Sequence, residues 1–159
     1  MIRPHAGTFV YDRAERRGMV AAIRNARAAG ADGIVTGALT HAAMIDEAAM
    51  REWLDAAAGV PVTFHRAFDR VVDQPDALEA LIALGVHRVL TAGGAATAWA
   101  GRGALARLVR QAHGRIGIVA AGSVRARHVR HLAAASGVRE IHAHVDGMAL
   151  QALGAATAA

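Results

Sequence analysis

The chain has 159 residues, a formal net charge of +5 and no cysteine. The absence of cysteine excludes disulfides and thiolate metal sites. Apolar residues come only in short runs, far below the roughly 20 needed to cross a bilayer. All of its basic residues are arginines spread over several segments, and aromatic platforms are scarce, which argues against nucleic-acid binding.

The start, Met1-Ile2-Arg3, reads as a short strand. It lacks the charged-then-apolar order of a secretory signal, so a soluble cytoplasmic protein is expected. Arg13 to Ala28 follows as a helix. Met19, Ala22, Ile23 and Ala26 recur at helical spacing, and Gly30 closes it. Gly33-Ile34-Val35-Thr36-Gly37 is long enough for a buried strand. Asp46 and Glu47 then place negative charge at the start of a second helix whose inner stripe is Met50, Trp53, Leu54 and Ala57. Gly59 ends it, and Pro61 to His65 forms the next strand.

Asp73 can cap a third helix that tolerates Pro75 in its first turn. Leu78, Leu81 and Ile82 face inward, Gly85 stops it, and Arg88 to Thr91 is a strand. A fourth helix carries Leu105, Leu108, Val109 and Ala112, ends at Gly114 and leads into the strand Ile116–Val119. A fifth is expected to begin near Ser123 and to present Val129, Leu132 and Ala133. Gly137 and the strand Glu140-Ile141-His142 follow. Residues 146–159 are expected to form a weak or frayed C-terminal helix.

Helix, glycine and apolar strand thus repeat with about the length of one crossover unit. Strands so short and apolar are buried on both faces, so the sheet is parallel and covered by helices. A doubly wound sheet and a TIM-type (β/α) barrel both fit, and the regular unit length favours the barrel. We expect one α/β domain over residues 1–159, an incomplete barrel with about six βα units. An incomplete barrel leaves open strand edges, which favours a homo-oligomer.

Several motifs resemble the copper homeostasis (CutC) family of TIM barrels. They are Met1-Ile2-Arg3-Pro4, Asp32 to Leu39, Arg88 to Gly93, Glu140 to His142 and, most specifically, Thr63-Phe64-His65-Arg66-Ala67-Phe68-Asp69. The resemblance spans nearly the whole chain and implies an N-terminally shortened member that lacks the family's first two βα units. It implies a cytoplasmic role in copper homeostasis and copper as a ligand. The ligand pattern itself shows no cofactor, because Cu(I) prefers the soft sulfur that cysteine would supply.

In a barrel, side chains at the C-terminal strand ends converge on one cleft. His65, Arg66 and Asp69 form the sharpest candidate catalytic cluster: His65 as general acid or base, Arg66 as an anion clamp, Asp69 orienting either one. The competing reading is an Arg66–Asp69 salt bridge and a structural His65. Arg3, Thr91, Gly93, Gly122 and Ser123 are candidate anion-binding residues, with Ser123 expected at a helix N-terminus. His142 and His144 share a strand face and are a candidate metal pair. The expected partner is therefore a small-molecule anion or a metal ion, with neither nucleic acid nor membrane. Three functions stay open: copper homeostasis, an enzyme acting on a small phosphorylated or carboxylated metabolite, and a truncated family member without a complete site.

Overall fold

A computed structural model describes residues 1–143. It contains five helices and five short strands. In chain order these are α1 (Arg13–Ala28), β1 (Ile34–Thr36), α2 (Glu47–Ala57), β2 (Val62–Phe64), α3 (Gln74–Ala83), β3 (Arg88–Thr91), α4 (Arg102–Ala112), β4 (Gly117–Ala121), α5 (Val129–Ser136) and β5 (Glu140–His142). The strand order is β1-β2-β3-β4-β5. Neighbours β1 and β2, β2 and β3, and β4 and β5 run parallel, with Ile34 opposite Val62, Phe64 opposite Val89 and Ala121 opposite His142. The chain divides into two compact units, Met1–Val89 and a second that begins at Leu90.

In the first unit α1 starts where the sequence predicts, for a local reason. The Asp12 carboxylate accepts from the amides of Ala14 and Glu15 at 2.7 and 2.8 Å, and Glu15 accepts from the Asp12 amide at 2.9 Å. This reciprocal cap satisfies donors that the first turn leaves open. α1 packs against α2, and Met19, Ile23, Met50 and Trp53 are all buried. The Asp46 carboxylate caps α2 at the Ala49 amide, 3.0 Å away, and also pairs with Arg16 of α1. One partly buried carboxylate thus ties the two helices together. Phe64, Phe68, Leu78 and Leu81 complete this core, and each is fully buried.

The second unit packs α4 and α5 beside β4 and β5, with Leu105 and Leu132 inside. Every glycine read as a helix stop adopts positive φ: Gly30 83°, Gly59 90°, Gly85 78°, Gly114 77° and Gly137 73°. A side chain would be strained at each of these turns.

Three expectations change. Met1–Arg3 is not a strand, although it lies along β1: the Ile2 amide donates to the Val35 carbonyl at 2.8 Å and Thr36 Oγ1 to the Ile2 carbonyl at 3.2 Å. The strand after Gly114 starts one residue late and runs on to Ala121. The fifth helix begins at Val129 rather than near Ser123. Gly122 (φ 108°) and Ser123 (φ 53°) both turn left-handed, and a single 3-10 turn, Ala126–His128, intervenes. Left-handed residues cannot open an α-helix. The C-terminal helix expected over residues 146–159 lies outside the described residues.

Candidate functional site

The site of the first unit is assembled around His65. Its amide donates to the Thr36 carbonyl at 2.9 Å, which extends the β1–β2 ladder by one residue. The ring is 3% exposed and packs against Phe9 and Phe64, with centroids 5.0 and 5.8 Å away. Gly37 makes room for it. A Cβ there would stand 2.8 Å from His65 Nδ1 and 3.0 Å from the Phe64 ring.

The ring's chemistry follows from its neighbours. Nδ1 accepts from the Ala67 amide at 3.3 Å, so His65 caps the 3-10 turn Arg66–Arg70. A neutral ring with Nδ1 accepting carries its proton on Nε2. Nε2 is buried and has no hydrogen-bond partner. Burial, with the Arg3 charge adding to it, lowers the His65 pKa to about 4 against the bond at its own backbone. At neutral pH His65 is therefore an uncharged donor.

Arg3 meets the other side of this cluster through Phe9. The Ile2 and Thr36 bonds fix its backbone, and Nη2 donates to the Gly7 carbonyl at 3.1 Å. The guanidinium lies over the Phe9 ring at 4.6 Å, close enough for a cation–π contact. Phe9 is anchored in turn by the Leu39 amide, which donates to its carbonyl at 2.8 Å. Arg3 Nε is buried without a partner, and so is the hydroxyl of Tyr11. Burial is the largest influence and raises the Tyr11 pKa, so the phenol stays protonated. The Arg3 charge and an Arg3 side-chain hydrogen bond too loose to count as a partner both act to lower the Tyr11 pKa. Tyr11 is 3% exposed and meets Trp53 edge-on at 5.8 Å.

Arg66 and Asp69 make an ion pair of 2.8 Å, with the arginine side chain 43% exposed and the carboxylate 7%. This is the salt bridge of the competing reading. Thr91 Oγ1 accepts from the Gly93 amide at 2.8 Å, so that amide is already engaged. A Cβ at Gly93 would come within 2.8 Å of the Gly101 carbonyl, which gives this glycine a packing reason. The Gly122 carbonyl accepts from the Ala98 amide at 2.9 Å. Ser123 is exposed and does not stand at a helix N-terminus, because α5 starts at Val129. His142 is exposed on β5, and His144 lies outside the described residues. Among the described residues no group of three or more His, Asp or Glu side chains is gathered to hold a metal. With no cysteine in the chain, the described residues do not fit a copper site.

Reading the sequence alone missed Phe9, Tyr11 and Gly37. Their faint signal is Phe9 and Tyr11 close together in a non-helical stretch of a chain with three Phe and one Tyr.

The parallel α/β architecture is of the TIM-barrel type. A solved CutC structure from Streptococcus agalactiae, a protein named for copper homeostasis, superposes with a TM-score of 0.87 at 35% identity, covering 90% of this chain and 70% of that one. The CutC family profile matches residues 1–147. A CutC family protein from Xanthomonas axonopodis pv. citri is 43% identical over 93% of this chain and 62% of its own length. One from Bacteroides thetaiotaomicron is 44% identical over 89% and 57%. The chain belongs to the CutC family. It spans about three fifths of the length of these curated relatives. Among the described residues no helix is long and apolar enough to cross a membrane.

Proposed function

We propose that this chain binds a small anionic molecule, carboxylated or phosphorylated, between Arg3 and His65. The observation that carries the reading is the pair of buried donors, Arg3 Nε and His65 Nε2, neither of which has a partner. A buried polar atom without a partner is costly, and here both atoms are donors. An acceptor arriving from solution satisfies either atom it reaches. If the bound molecule is turned over, neutral His65 stabilises negative charge developing on an oxygen, and Arg3 binds the anion. On this reading Nε2 donates a hydrogen bond rather than abstracting a proton.

Calorimetric titration with inorganic phosphate and with pyruvate tests the reading. The wild-type chain binds at least one of them, and Arg3→Ala loses the response. Absence of any heat of binding with either anion overturns it.

A second reading has one specific support, the family itself. On it, the chain takes part in cytoplasmic copper homeostasis with copper as cargo. Titration with copper against a competing chelator tests this separately. Binding no tighter than that of free imidazole refutes it for this chain.

A further inference from the structure

We infer that this chain self-associates head to tail: Trp99 of one copy, with Arg102 stacked on it, docks in an apolar groove between the starts of α2 and α3 of the next. The groove is a cavity of about 310 Å³ within the first unit, and Met44, Ile45, Val72 and Ala77 line it. Its walls are fixed by main-chain bonds. The Thr40 amide donates to the Met44 carbonyl at 2.8 Å, with Ala43 left-handed (φ 54°) in the turn between them. The Val72 amide donates to the Ala43 carbonyl at 3.2 Å, which joins the two loops. Yet Met44 is 54% and Val72 75% exposed. Large apolar side chains are thus held in place and left in water, the condition of a docking surface.

Charge decides what fits. Among the described residues, the charged side chains lining the groove are Glu47, Asp73 and Asp76, all acidic. Glu47 pairs with Arg51 at 2.6 Å, and one Asp73 oxygen accepts from the Asp76 amide at 2.9 Å. The rim stays negative on a chain whose net charge is +5. An occupant must bring an apolar body and a positive charge.

The chain carries such an occupant itself. Trp99 is 45% exposed, and the Arg102 guanidinium lies 4.6 Å from its ring centroid and donates to its carbonyl at 2.9 Å. The indole and the cation are presented as one unit. Tryptophan and arginine are the side chains that most often anchor protein interfaces. Groove and tryptophan are different surfaces, so the contact is heterologous: each copy offers Trp99 to one neighbour and its groove to another. An interface with a single anchor falls at the small end of its class, so association is weak and depends on concentration.

Sedimentation velocity of the full chain from about 1 to about 300 µM tests this. The average mass rises with concentration. Over the same range Trp99 emission shifts to the blue and resists acrylamide quenching, while Trp53, 0% exposed, does not change. Trp99→Ala and Val72→Asp alter exposed positions, keep the wild-type circular dichroism, and each weaken association at least about tenfold. Mixed in equal amounts the two variants pair, because one keeps the groove and the other the tryptophan, and growth stops at the dimer. A wild-type chain that stays monomeric at about 300 µM overturns the inference without any variant. So does association that leaves Trp99 emission unchanged, or that persists undiminished in either variant. A mixture that stays monomeric while the wild type associates overturns the head-to-tail contact.

Discussion

Acidification should destabilise this chain through His65, and the size of the effect can be worked out. The ring is 3% exposed, and its pKa falls from the ordinary value near 6.5 to about 4. The folded chain therefore holds fewer protons on His65 than the unfolded chain between those two values. Stability is fully present above the unfolded pKa and is lost as pH falls toward the folded one. Linkage gives a loss of about 2 kcal/mol at about pH 5 and about 3 kcal/mol at about pH 4, relative to neutral pH. Against a typical total of about 5–15 kcal/mol this is a large share. Urea unfolding followed by circular dichroism, at about pH 7 and about pH 5, measures it. His65→Gln does not titrate, so it should lose about 2 kcal/mol less than the wild type over that interval. Contributions from the other histidines cancel in the comparison. Equal losses in the two proteins would refute the claim that burial holds His65 neutral.

Gly37→Ala should push the His65 ring aside, because the new Cβ lies 2.8 Å from Nδ1. A loss of about 1–3 kcal/mol in urea unfolding is expected, together with loss of the response to anions in calorimetry. Asp46→Ala removes both the cap of α2 and the partner of Arg16, and should lower stability by about 2 kcal/mol or more. Asp46→Asn keeps a capping oxygen and should recover part of that loss, so the two melts separate the cap from the ion pair. Arg66→Ala should leave anion affinity within about twofold of wild type while Arg3→Ala abolishes it, since the Arg66 guanidinium is engaged by Asp69 and 43% exposed. Equal losses in the two variants would return Arg66 to the binding site.

Local chemistry made much of this protein readable in advance. Asp12 and Glu15 set the start of α1, Asp46 and Asp73 cap the next two helices, and each glycine stop takes positive φ, because all of these depend on neighbours a few residues away. The repeated helix–glycine–strand order gave the parallel α/β class for the same reason. Local reasoning failed where a residue's state depends on distant contacts. The three residues Met1–Arg3 look like a strand but make one ladder bond to β1, and the turn at Gly122–Ser123 delays α5.

The order of residues by itself determined the elements, their stops and the family, since periodicity, caps and a short motif such as Thr63 to Asp69 are properties of adjacent positions. Only the tertiary structure decided that His65 is a buried neutral donor, that Asp69 engages Arg66, and that the Arg3 guanidinium lies over the Phe9 ring. Protonation and hydrogen-bond satisfaction depend on how much water each group loses and which partners reach it, and the folded packing sets both.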